Sequence, residues 1–207
     1  TGAAALSMLL RPLLLVAIDK WVMPHWSAAD TRELEEISEQ QNANVVICGF
    51  GRYGQIIGRM MSAQGLQVTV LDHDPDTVEG LRQFGFRVFY GDATRLDLLR
   101  TAGAASAKVL VVAVDDVEQS LSIVDLAREH FPDTEIVARA RNLNHWYQLR
   151  DRGVHLAERE VFESSLRSAR QVLELLGWPA HEARESAMRF RQLNIQFAEE
   201  SHPLYKD

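Results

Sequence analysis

Residues 44–72 set the tightest constraint on what this chain can become. They read Asn44-Val45-Val46-Ile47-Cys48, then Gly49-Phe50-Gly51-Arg52-Tyr53-Gly54, then an apolar helical run, then Val68-Thr69-Val70-Leu71-Asp72. The order is strand, glycine turn, helix, strand, with an acid closing the second strand. Each glycine has its own task in such a unit. Gly49 permits the tight turn, Gly51 lets backbone approach a phosphate, and Gly54 lets the helix pack closely on the strand. The helix N-terminus offers unpaired N–H groups and a partial positive charge to an anion. Asp72 is placed to accept hydrogen bonds from a ribose, and its charge repels a 2′-phosphate. The unit points to nucleotide binding; the alternative is a turn of the same shape that has lost its ligand.

The alternation continues along the chain. Asp74 and Pro75 suit an N-cap and a first helical position, and the helix they open is expected to end near Phe84 and Gly85. The pattern predicts strands over residues 45–48, 68–72, 87–90, 108–114 and 135–140. It predicts intervening helices over 53–64, 95–102 and 144–152, with another running to His130. Five strands alternating with helices imply an α/β fold with a doubly wound, Rossmann-like parallel sheet. Such sheets bind ligands at the carboxyl ends of their strands. The glycine turn, Asp72, residues 91–94 and Asp115 all fall at such ends. After Glu160 the strands stop. Phe162, Leu166, Ala169, Leu173 and Leu176 recur at helical spacing, and a last helix is expected over 180–200. These stripes need an apolar partner, either the sheet core or another copy of the chain.

Composition narrows the function. The net charge of −7 argues against general binding to nucleic acid or anionic membrane. Cys48 is the single cysteine, so no internal disulfide forms, and its place at the end of an apolar strand suggests packing. The seven histidines are scattered, and no CxxC or HExxH spacing suggests a metal. Residues 3–23 are apolar but interrupted by Arg11, Asp19 and Lys20. The clean run at 13–18 is far shorter than the roughly 20 residues a span needs. The segment is expected to be the trailing end of a membrane helix that starts upstream; the alternative is an amphipathic N-terminal helix. The expected organisation is residues 1–26 as that end and its exit, 27–43 as an acidic linker helix, 44–160 as the nucleotide-binding domain, and 161–207 as a helical extension.

The runs Cys48-Gly49-Phe50-Gly51-Arg52-Tyr53-Gly54-Gln55, Leu71-Asp72-His73-Asp74-Pro75, Phe89-Tyr90-Gly91-Asp92-Ala93-Thr94 and Ala138-Arg139-Ala140-Arg141 resemble the regulatory RCK, or KTN, domain of potassium transporters and channels. Ala157-Glu158-Arg159-Glu160-Val161-Phe162-Glu163, Glu182-Ala183-Arg184-Glu185 and Arg191-Gln192-Leu193-Asn194-Ile195-Gln196 extend the resemblance to the Kef-type glutathione-regulated potassium-efflux systems. The resemblance covers residues 44–200. It implies a non-enzymatic cytoplasmic gate on a potassium/proton antiporter in the bacterial inner membrane. The implied partners are a second copy, the chain's own upstream transport domain and an ancillary flavoprotein oxidoreductase. The implied ligands are an adenine nucleotide, AMP or NAD(H), and glutathione, which holds the gate closed while its adducts open it.

Roles follow residue by residue. The N–H groups around Phe50, Gly51, Arg52, Tyr53 and Gly54 would cradle phosphate, and Arg52 could add its cation. Asp72 would hold the ribose, with His73 and Asp74 on its rim. Asp92, Ala93 and Thr94 would lie near the adenine. Glutathione carries two carboxylates, an ammonium and two peptide groups, so its receptor needs guanidinium forks and neutral amides. The resemblance implies Arg59, Arg159 and Asn194 as contacts, and Phe84 as the aromatic that senses an adduct's bulk. Read alone, these four are a surface arginine, an arginine paired with Glu158 or Glu163, a turn-capping asparagine and a core phenylalanine.

Two other functions start from the same fingerprint. An NAD-dependent oxidoreductase needs a proton-transfer group at the nicotinamide, and no tyrosine here has the Tyr-x-x-x-Lys lysine. A peripheral potassium-uptake regulatory subunit of this fold would have no use for the apolar N-terminal segment.

Overall fold

The computed structural model of this chain describes residues 41–82 and 87–206. The expected membrane-helix end, most of the acidic linker, Phe84 and the end of the helix that Pro75 opens lie outside the described residues. Among the described residues no helix is long and apolar enough to cross a membrane.

Six strands make one sheet: β1 (Val45–Cys48), β2 (Val68–Asp72), β3 (Arg87–Tyr90), β4 (Val109–Val112), β5 (Glu135–Ala140) and β6 (Leu156–Arg159). Their spatial order is β3-β2-β1-β4-β5-β6, and every pairing is parallel. The chain runs outward from β1 to β3, crosses back, and runs outward again from β4 to β6. β1 and β4 are therefore neighbours whose connections leave in opposite directions. The crevice beyond their carboxyl ends is the ligand position of a doubly wound sheet.

Helices cover both faces: α1 (Arg52–Ala63), α2 (Pro75–Arg82), α3 (Leu96–Thr101), α4 (Val117–His130) and α5 (Leu143–Asp151). On β1, Val46 and Cys48 join a buried cluster with Leu99 of α3, Ile123 and Val124 of α4 and Leu149 of α5. Val45 and Ile47 point the other way, into a cluster with Phe50, Val78 of α2 and the partly buried Ile57 and Met61 of α1. A strand covered on both faces is apolar throughout, and this explains the unbroken run at 45–48. Each enclosed aliphatic side chain contributes about 1.5–3 kcal/mol.

Cys48 is fully buried, and burial pushes its thiol up to about 12. The thiolate is the reactive form, so iodoacetamide at pH 8 is expected to leave the folded chain unlabelled and to label it fully in denaturant. Labelling of the native chain within minutes would show that the sheet opens at β1.

The pattern predicts five strands and the structure adds a sixth. β6 reads Leu156-Ala157-Glu158-Arg159, and only Ala157 is buried. It is an edge strand held by backbone pairing to β5, from Val137↔Leu156 to Ala140↔Arg159, so no hydrophobic period announces it. β4, at Val109–Val112, is also shorter than the predicted 108–114; Ala113 still donates to Cys48 O at 2.8 Å, and Ala113 and Val114 line the crevice.

Beyond the sheet, α6 (Phe162–Leu175) and α7 (Ala180–Ser201) pack against each other. Gly177 between them has φ +91°, a left-handed backbone at which an L side chain is strained. The far end of α7 is fixed to α5. His202 stacks on Tyr147 with ring centroids 5.4 Å apart and bonds Asp151 at 2.8 Å, while Tyr205 leans on Tyr147 at 4.9 Å.

Candidate functional site

The crevice above β1 and β4 is built by the glycine turn. Gly49 has φ +89°, and a Cβ there would stand 2.9 Å from Val114 N. Gly54 is closed in differently: a Cβ on it would meet Gly49 O at 2.1 Å. A Cβ on Gly51 would meet nothing within 4 Å. The turn is thus shut toward the sheet and open on the side where a phosphate would approach. Gly51 is the N-cap of α1 and supplies no side-chain cap. By contrast, Asp116 caps α4 by accepting from Gln119 N at 2.9 Å, and Asn142 caps α5 by accepting from His145 N at 2.9 Å. The first-turn N–H groups of α1 are thereby left for an anion.

Asp72 is 7% exposed, and its carboxylate is engaged by the backbone. Its two oxygens accept from Phe50 N at 2.5 Å and Asp74 N at 2.8 Å. It ties the glycine turn to the loop after β2, and its remaining lone pairs face a cleft of about 230 Å³ whose walls include Gly49, Gly51, His73, Asp74 and Asp115. Asp74 caps α2 as the sequence suggests, accepting from Asp76 N at 3.1 Å. The Thr77 hydroxyl, 2.7 Å away, is the main reason its carboxyl is held below the usual range. Asp92 accepts from both the N–H (2.9 Å) and hydroxyl (2.8 Å) of Thr94. This is an Asx-type turn rather than a helix cap, since α3 begins only at Leu96. Ala93 is buried at the floor, beside Gly91 and Asp92.

A buried cation adjoins the cleft. Arg139, on β5, is 4% exposed. Its guanidinium donates to the carboxylate of Asp115, to Ala113 O at 3.4 Å and to Glu160 at 2.6 Å. Burial by itself lowers its pKa, but the hydrogen bonds it donates to Glu160 and Asp115 outweigh that and the net shift is upward. Its Nε finds no hydrogen-bond partner among the described residues. Arg52, at the start of α1, reaches Glu160 at 3.4 Å from the solvent side. Half-buried Tyr53 lies in the same neighbourhood: burial raises its pKa, Glu158 raises it further and Arg139 opposes. His145, also buried, accepts from Arg141 N at 3.2 Å through Nδ1 and is pushed below its ordinary value by burial, then by Arg139 and Arg152.

A second cavity of about 160 Å³ lies where β6 meets α6 and α7. Arg150, Arg159 and Arg191 line it together with Glu158, Glu163 and Glu199. Arg159 donates to the side-chain oxygen of Asn194 on α7, and its guanidinium lies over the Phe162 ring, 4.2 Å from the centroid. Arg150 covers Trp146 at 5.3 Å. Arg191 pairs with Glu163 at 2.5 Å. The cavity offers planar forks for carboxylates and carboxylates for an ammonium, on aromatic backing.

The structure therefore brings Gly49, Gly51, Asp72, His73 and Asp74 to one cleft, with Phe50 tied behind it and Arg52, Tyr53 and Gly54 opening α1 beside it. Asp92 and Ala93 line its continuation, and Thr94 is bonded to Asp92 beside it. Arg159 and Asn194, 35 residues apart in sequence, are in contact. Arg59 is exposed on α1 and lines neither cavity. The sequence reading missed Arg139, Glu160, Arg150 and Arg191 as site residues. The available signal for Arg139 was a lone arginine between two alanines in a strand expected to be buried.

Comparison with known proteins shows the family. The TrkA-N domain family matches residues 45–159, and the potassium efflux system KefB C-terminal domain family matches residues 164–207. The glutathione-regulated potassium-efflux system protein KefC of Escherichia fergusonii is 50% identical over 200 residues, 97% of this chain and 32% of that protein. The chain thus spans about a third of the length of the curated relatives it matches. Among solved structures, the Shewanella denitrificans Kef C-terminal domain in its AMP-bound form is 41% identical, with a TM-score of 0.72, over 77% of this chain and 98% of that one. The TrkA-N domain of the inner membrane protein ybaL from Escherichia coli is 28% identical, with a TM-score of 0.57, over 65% and 97%.

Proposed function

We propose, from the premise that this chain belongs to the TrkA-N domain family and to its Kef branch, that it is the cytoplasmic ligand-sensing gate of a glutathione-regulated potassium-efflux system. It binds an adenine nucleotide in the β1/β4 crevice and glutathione at the end of β6. One observation carries the reading. A single chain holds both an anion-ready helix N-terminus and, apart from it, a cavity lined by Arg150, Arg159 and Arg191, with Arg159 bonded to Asn194 on α7. The AMP in the 41%-identical Shewanella structure and the glutathione in the relatives' name are the ligands that these two sites suit. Phosphate is met by the open side of Gly51 and by Arg52, ribose by Asp72, and adenine by residues 92–94. The tripeptide's carboxylates are met by Arg159 and by further guanidiniums of its cavity, with Arg59 and Phe84 joining from a second copy or by movement.

The exposed apolar side chains of α6 and α7 support a dimer. Leu175 is 87% and Leu176 73% exposed, and Phe190, Leu193 and Phe197, exposed and on one side of α7 at helical spacing, add apolar surface that a solitary soluble domain does not leave open. In the whole protein the domain would sit at the inner membrane beneath an upstream transport domain and meet an ancillary oxidoreductase. A ligand shifts a gate only by its differential affinity for the two states. An adduct that prefers the open state by about 1.4 kcal/mol shifts the population tenfold.

Titration calorimetry on the 207-residue chain tests this, with AMP, glutathione and a bulky S-conjugate as titrants. Saturable binding of all three at one equivalent per chain is the expected result. Absence of glutathione and conjugate binding overturns the gate, and absence of AMP binding overturns the nucleotide site.

A further inference from the structure

Glu160 stands between the two sites. Its carboxylate is shared by two guanidiniums, Arg139 at 2.6 Å and Arg52 at 3.4 Å. Arg139 is buried, while the Arg52 side chain is 85% exposed at the first residue of α1. Arg52 is thus the partner that an incoming anion can take away. Glu160 is also tied by its backbone: its N–H donates to Ala140 O at 2.9 Å, one residue from Arg139. Its chain neighbour is Arg159, whose guanidinium holds Asn194 on α7. One peptide unit therefore separates the carboxylate that answers the glycine turn from the guanidinium that answers the second cavity.

We propose that Glu160 is a positioning residue that couples the two ligands. The inference rests on the function proposed above. When a nucleotide phosphate on the α1 N-terminus draws Arg52 to itself, the Glu160 carboxylate settles on Arg139 alone. That exchange is between an exposed ion pair and a buried one, and the buried pair is the more directional. It fixes the chain at 159–160 and presents the Arg159 fork in one orientation. The nucleotide thereby tightens glutathione binding, and reciprocity requires glutathione to tighten the nucleotide equally. No covalent step is involved.

The test is the glutathione Kd measured on the full chain with and without saturating AMP, for wild type, Glu160→Gln and Glu160→Asp. Wild type is expected to bind glutathione about fivefold tighter with AMP. In Glu160→Gln that ratio falls to about one while AMP alone binds about two- to fivefold tighter, because the competitor for Arg52 is gone. Glu160→Asp restores part of the ratio, which a purely structural role would not require. If Glu160→Gln does not fold, Arg52→Gln at its exposed position decides: a ratio of one supports the coupling and a retained ratio overturns it. A wild-type ratio of one or below, or the wild-type ratio persisting in Glu160→Gln, also overturns it. Failure of wild type to bind AMP or glutathione at all is a different result, removing the proposed function and the coupling together.

Discussion

Arg159→Ala is expected to weaken glutathione binding about 10- to 100-fold while lowering the melting temperature by no more than about 4 °C. The first figure follows from chemistry. A guanidinium meeting a carboxylate forms charge-assisted hydrogen bonds of about 1.5–3 kcal/mol, and each 1.4 kcal/mol is about tenfold in Kd. The second follows from position. Arg159 is only partly buried, on an edge strand. Its removal leaves the Asn194 amide and the Phe162 ring without their cover, at about 1 kcal/mol for the cation–π contact in a chain where that moves the melting point by about 2–4 °C. Arg159→Lys is expected to fall between, because it keeps the charge and loses the planar fork. Calorimetry with a parallel melt separates the two effects. Equal Kd values in wild type and alanine variant would place the tripeptide elsewhere.

Gly54→Ala and Gly51→Ala give opposite results although they lie three residues apart. At Gly54 a methyl would stand 2.1 Å from Gly49 O, a backbone atom, and a Cβ has no rotamer with which to escape. The helix must lift from the strand. A loss of about 3 kcal/mol or more, or insoluble protein, is expected. At Gly51 a methyl meets nothing within 4 Å, so urea midpoints stay within about 1 kcal/mol of wild type. The methyl then stands where phosphate must approach backbone, and AMP affinity falls about tenfold or more. Normal AMP binding by Gly51→Ala would mean that the phosphate does not rest on the α1 N-terminus.

What the sequence makes legible here divides by cause. β1, β2, β3 and β5 can be bounded from the chain alone because their ends are marked by glycine, Asp-Pro and an abrupt change of polarity. β6 cannot, since two of its four residues are charged and Leu156 is 57% exposed; only the neighbouring strand explains why it is extended. The same holds for the sites. The glycine turn is local, so its parts can be read in order along the chain. Arg139, Asp115 and Glu160 are distant in sequence: the strand pattern places Asp115 at a carboxyl end and Arg139 inside a buried strand, but their ion pairing appears only once the sheet aligns the ends of β4, β5 and β6. The contact of Arg159 with Asn194 depends on α7 folding back along α6, which the helical period predicts as two helices but not as a pair in that register. Arg59 shows the converse: a resemblance supplies it, and a single chain leaves it away from the cavity.

The enclosure of Cys48 has a consequence for endurance. Under the proposed function the domain would answer thiol-reactive compounds through their conjugates, while its single cysteine, shut inside the sheet, is kept from the same attack.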